Sequence, residues 1–64
     1  MTAVIKSKEV NGYLVEINID KYSTAYKVEV YHIATGRTEK TGFYGTIEKA
    51  NKRFSALCRT LKNA

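Results

Sequence analysis

Proline and tryptophan are absent from this chain, and cysteine, histidine and methionine occur once each. One cysteine cannot close a disulfide within the chain, and one cysteine with one histidine cannot supply the four Cys/His ligands of a structural zinc site. A single thiol suits a reducing compartment. Long apolar runs are also missing. No stretch could cross a bilayer as a helix, and the first apolar segment, Ala3 to Ile5, is far shorter than the hydrophobic region of a secretory signal. The compartment expected from these absences is the cytoplasm, with no membrane association. Glycine occurs only four times, with no low-complexity run or internal repeat, so no linker divides residues 1–64. They read as one small domain, of a size that buries only about 60% of its unfolded surface. With neither disulfide nor metal to assist, its stability must come from a well-packed core or from oligomerisation.

Acidic residues are scarce as well: six against eleven Lys and Arg, for a net charge of +5. The excess is confined to one half of the chain. Residues 1–35 carry Lys6, Lys8, Lys21 and Lys27 against Glu9, Glu16, Asp20 and Glu29, and balance to zero. Residues 36–64 carry Arg37, Lys40, Lys49, Lys52, Arg53, Arg59 and Lys62 against Glu39 and Glu48, which leaves +5. Such asymmetry points to a polyanionic partner, although a solvated charged helix face gives the same count.

The apolar pattern that is present predicts an α+β domain: an antiparallel β-meander of three to four strands packed against one C-terminal amphipathic helix. Asn11-Gly12, set between two alternating runs, marks a β-hairpin joining strands over about 2–9 and 13–19. A two-residue loop would pair Val10 with Tyr13 and set Lys6 and Lys8 opposite Ile17 and Val15 on the core side. A three-residue loop with Gly12 as a bulge would pair Glu9 with Tyr13. It would bring Ala3, Ile5 and Ser7 beside Ile19, Ile17 and Val15, with Lys6 across from Glu16 outside. Because a one-residue slip turns every side chain over, burial of apolar groups selects the bulged form. Tyr13, Val15, Ile17 and Ile19 then face inward, and Leu14, Glu16 and Asn18 outward.

After a polar loop over Asp20 to Thr24, a third strand at 25–33 directs Tyr26, Val28 and Val30 to the core and Lys27, Glu29, Tyr31 and Ile33 outward. A turn at Ala34 to Arg37 leads to a short fourth strand at 38–44, in which Phe43 is the residue expected to be buried. Thr46 is placed to cap a helix over 47–62, with Glu48 in its first turn. Ile47, Ala50, Phe54, Leu57, Cys58 and Leu61 form the stripe of a helix covering a sheet. Lys49, Lys52 and Arg59 project from the other side, and Arg53 and Lys62 lie at the flanks.

Catalysis requires convergent groups in a pocket that excludes water, and this chain has few candidates. Cys58 falls on the apolar stripe and reads as a core thiol. His32, at a strand end, reads as structural. The acids are scattered among lysines, and Gly42 to Gly45 lacks the spacing of a phosphate-binding loop, its glycines serving instead to relax the strand-to-helix turn. The chain is therefore expected not to be an enzyme and to need neither cofactor nor metal. Among the tyrosines, Tyr13 and Tyr26 fit the core, whereas Tyr22, Tyr31 and Tyr44 have weaker claims to burial.

The segment Gly42-Phe43-Tyr44-Gly45-Thr46-Ile47-Glu48-Lys49-Ala50-Asn51-Lys52-Arg53-Phe54 resembles the strand-to-helix junction of AP2-type DNA-binding domains, with their T-x-E-x-A-x-x-x-F/Y pattern after an aromatic strand. That resemblance covers about a fifth of the chain. It implies a β-meander packed on a C-terminal helix and DNA contact through the sheet. The chain departs from the pattern in lacking tryptophan and dense arginine on the sheet, and in having an extra strand.

The first expectation of function is a non-catalytic nucleic-acid-binding domain acting through phosphate contacts. Its candidate contacts are Lys49, Lys52, Arg53, Arg59 and Lys62 on the helix, or Lys27, Tyr31, Arg37 and Lys40 on the sheet, where an aromatic among cations could stack bases. The alternative is a protein-interaction module, either a homodimer or a small inhibitor. It would use the outer face with Leu14, Tyr31 and Ile33, or an edge strand. A small, basic, proline-free chain of this kind would also suit a phage or mobile element.

Overall fold

The computed structural model describes residues 2–20 and 24–63. Four strands, β1 (Thr2–Val10), β2 (Tyr13–Asp20), β3 (Tyr26–His32) and β4 (Arg37–Tyr44), are followed by one helix, α1 (Ile47–Lys62). The strands form a single antiparallel sheet in the order β1-β2-β3-β4, so the α+β meander expected from the apolar pattern is the fold. The polar loop expected at Asp20 to Thr24, and Tyr22 with it, falls largely outside the described residues.

The core lies between one sheet face and α1. Val15, Ile17, Val28 and Val30 from the central strands pack with Ala50, Phe54 and Leu57 from the helix. Tyr13, Tyr26, Tyr44, Ile47, Cys58 and Leu61 close around them. α1 starts where its cap does: the Thr46 hydroxyl accepts from the Lys49 backbone N–H at 3.3 Å. Glu48 lies in the first turn, and Arg59 and Lys62 in the last, each sign at the favourable end of the helix dipole.

The first hairpin corrects the bulged-loop expectation. Val10 pairs with Tyr13 across a two-residue turn, with Asn11 at φ 50° and Gly12 at φ 83°. Positive φ at both central positions is the type I′ turn, whose twist matches that of the flanking strands and which Asn-Gly adopts with little strain. Asn11 also donates from its side-chain amide to the Leu61 carbonyl at 3.1 Å, fastening the turn to the end of α1. Local turn chemistry therefore outweighs the burial pattern.

The consequence is that Lys8 pairs with Val15 and Lys6 with Ile17, on the core side. Ser7, not Lys6, stands opposite Glu16, and the expected inward placement of Ile5 and Ser7 does not occur. A bulge between Val4 and Lys6 absorbs Ile5 and restores the parity, so that Ala3 does pair with Ile19. Two inward lysines are tolerable because β1 is an edge strand that α1 only partly roofs. Their stems can lie along apolar surface with the ammonium groups in water, and Lys6 Nζ lies 4.7 Å from the centroid of the Phe54 ring.

β4 brings a second correction. Phe43 pairs with Lys27 on the outer face and is 69% exposed, because the alternation of β4 turns its neighbour Tyr44 inward, opposite Tyr26. Room for Tyr44 comes from Gly42: a Cβ there would meet the Tyr44 hydroxyl oxygen at 3.0 Å and Cε2 at 3.1 Å. Gly42 thus serves strand packing rather than the turn into the helix.

Candidate nucleic-acid interface

The register sorts the candidate cations onto different surfaces. On the outer face three rows cross the sheet: Val4, Asn18, Lys27 and Phe43; Ser7, Glu16, Glu29 and Thr41; Glu9, Leu14, Tyr31 and Thr38. Tyr31 and Lys27 are on this face as expected, but Arg37 and Lys40 are not. Arg37 pairs with His32 and Lys40 with Val30, on the helix side. The grouping of Tyr31 with Lys27, Arg37 and Lys40 as one stacking platform is therefore divided between two faces by the alternation of the strands. A shift between Val30 and Tyr31 gives β4 one extra residue, Glu39, between Thr38 and Lys40.

The centre of the outer face is acidic. Glu16 stands directly opposite Glu29. Lys27 is ion-paired to Glu29 Oε1 at 3.0 Å, and the same oxygen accepts from the Asn18 amide at 3.0 Å. Those contacts account for Asn18, which points outward as expected yet is only 4% exposed. It stands in the row between Val4 and Lys27, with its amide hydrogen bond to Glu29 made. A phosphate approaching this face would meet Glu9, Glu16 and Glu29 against one lysine already engaged.

The helix cations divide into two groups. Lys49, Lys52 and Arg53 surround an open cavity of about 360 Å³ completed by Tyr44 and Ala56. Arg53 and Lys40 also share the walls of a small cavity of about 50 Å³ under Tyr44, against Val28 and Leu57, so Lys40 joins this group.

Arg59 and Lys62 turn toward the opposite edge, where α1 and β1 enclose a groove of about 640 Å³. The helix side of the groove is Phe54, Ser55, Cys58, Arg59 and Lys62; the strand side is Lys6, Lys8, Glu9, Val10 and Asn11. Four cations and one acid, Glu9, thus line a slot with an apolar floor, two of the cations on each side. Lys6 and Lys8 were not among the residues expected to bind anions. The signal that could have found them is Asn11-Gly12 itself, since a two-residue loop puts both lysines on the groove side.

His32 is engaged within the fold. The His32 ring packs on Tyr13 with centroids 4.8 Å apart, and its Nδ1 is 2.8 Å from the Thr35 hydroxyl. Cys58 is half-buried in the groove. Among the described residues, no group of three or more His, Cys, Asp or Glu could hold a metal ion, and no helix is long and apolar enough to cross a membrane. Comparison with protein-family models, with curated proteins and with solved structures finds no match to this chain.

Proposed function

We propose that this domain is a non-catalytic nucleic-acid-binding protein of the cytoplasm that works through phosphate contacts on its helix side. The observation that carries the reading is the partition of charge by the sheet. Lys6, Lys8, Arg59 and Lys62 converge on one groove, and Lys49, Lys52 and Arg53 extend the same sign around α1. The other sheet face is centred on Glu16 and Glu29. A polyanion is attracted to the first surface and repelled by the second. Sheet contact of the AP2 type is correspondingly disfavoured. The sequence offers no residue set that promises base-specific readout, so affinity should be carried by electrostatics and show little sequence preference.

The test is fluorescence anisotropy with labelled single- and double-stranded oligonucleotides at low and near-physiological salt. Neutralising four phosphates of a single strand gives a slope of log K against log salt of about −3. No binding at low salt would refute the reading.

A protein-interaction role is the second reading, favoured by Phe43 at 69% and Val4 at 57% exposure at the two ends of one outer row, with Leu14 and Tyr31 on the same face and Ile33 exposed in the turn after β3. Strand addition is its weaker form. Both edges carry inward cations and a register shift, devices that discourage edge pairing. A dimer in solution whose mass halves on Phe43→Ser would favour this second reading.

A further inference from the structure

We infer that the β1–α1 groove is a track for single-stranded nucleic acid, held by a lysine rail on β1 and a cationic rail on the last turns of α1. The inference rests on the nucleic-acid reading and adds to it the strand type and the route. Lys6 and Lys8 are two residues apart on one strand face, hence about 7 Å apart along β1, a spacing comparable to that of successive phosphates in an extended chain. Arg59 and Lys62 are three residues apart on α1 and are therefore surface neighbours. The hydrogen bond from Asn11 to the Leu61 carbonyl at 3.1 Å closes the turn end of the slot and fixes the order of the rails. Lys62 lies near the turn, and Lys6, over Phe54, lies farther along.

A slot between one strand and one helix admits a flexible single strand with phosphates reaching both rails. A duplex, rigid and with its phosphates on a broad convex surface, could touch only one. An acidic peptide has a competing claim, but it would bind most readily by strand addition, and the bulge at Ile5 interrupts the β1 edge. What remains is side-chain contact with a chain that carries a charge on every unit. The shelf of Lys49, Lys52 and Arg53 lacks a second rail: apart from Tyr44, all its lining residues come from α1.

Cys58 lines the helix side of the groove and is the chain's single cysteine, so its thiol reports occupancy without any substitution. The experiment measures maleimide modification of Cys58, and anisotropy, with a labelled deoxythymidine oligonucleotide of about 12 nucleotides, a length within the range of single-strand modules. It is run on the natural chain, on Lys6→Gln/Lys8→Gln and on Lys49→Gln/Lys52→Gln. Circular dichroism checks that each variant is folded.

The oligonucleotide is expected to slow Cys58 modification several-fold. Lys6→Gln/Lys8→Gln should weaken binding roughly tenfold at near-physiological salt and flatten the salt slope by about 1.4, while Lys49→Gln/Lys52→Gln keeps the Cys58 protection. Binding that persists with Cys58 unprotected and unchanged in Lys6→Gln/Lys8→Gln would overturn the groove and leave the nucleic-acid reading standing. Equal affinity for duplex with equal protection would overturn the strand type. Equal competition by poly-glutamate of matched charge would overturn nucleic acid as the occupant. No binding of any oligonucleotide would overturn both readings.

Discussion

Replacing Ile5 and Ile17 in parallel tests the register on which the groove depends. Ile17 is fully buried on β2 opposite Lys6, whereas Ile5 sits in the β1 bulge and is 46% exposed. Removing one methylene from a closed core by Ile17→Val should cost about 1 kcal/mol. Ile5→Ala removes more carbon but from a half-solvated site that leaves no enclosed cavity. Full burial would make that change worth roughly 2–5 kcal/mol, and the partial exposure reduces it to about 1 kcal/mol or less. The three-residue loop would instead place Ile5 in the core beside Ile17 and restore the full penalty. A domain of this length has a total stability of only about 3–10 kcal/mol, so that penalty would remove a large fraction of it. Urea and thermal unfolding followed by far-ultraviolet circular dichroism separate the two cases, since each kcal/mol moves the Tm by roughly 4–8 °C in a domain this small. A loss above about 2 kcal/mol for Ile5→Ala would refute the two-residue turn and the inward lysines with it.

Three further outcomes are expected. A double-mutant cycle of Lys6→Gln and Phe54→Leu should give a coupling of about 0.5–1 kcal/mol in urea unfolding; none would place the Lys6 ammonium away from the ring. Thr46→Ala removes the cap of α1 and should destabilise by about 1 kcal/mol, whereas an unchanged midpoint would mean that the hydroxyl contributes nothing. Phe43→Ser, on the open face, should stay within about 0.5 kcal/mol of the natural chain, and a larger loss in dilute protein would show that Phe43 is buried after all.

Much of the architecture was legible from periodicity. The run from Tyr13 to Ile19 alternates so regularly that β2 and its inward set follow from the pattern of residues. The spacing of Ile47, Ala50, Phe54, Leu57, Cys58 and Leu61 specifies α1 and the face it buries, and Thr46 marks its start. These features are local: each depends on residues a few positions apart, and the hydrophobic effect reads them directly.

The candidate site was much less legible. Arg59 and Lys62 stood out as helix cations, but nothing in their spacing says that they face β1 while Lys49, Lys52 and Arg53 face β4. Burial alone favours a register that turns Lys6 outward, and only the two-residue Asn11-Gly12 turn brings Lys6 and Lys8 to the core side. A single aromatic in a polar strand carries no phase, so only the pairing of β4 with β3 sets which of Phe43 and Tyr44 turns inward. The sequence by itself determined the element types, the meander and the excess of positive charge in its second half. Which cations share a surface was decided by tertiary structure alone, since strand register and helix rotation bring together residues more than fifty positions apart, such as Lys6 and Arg59.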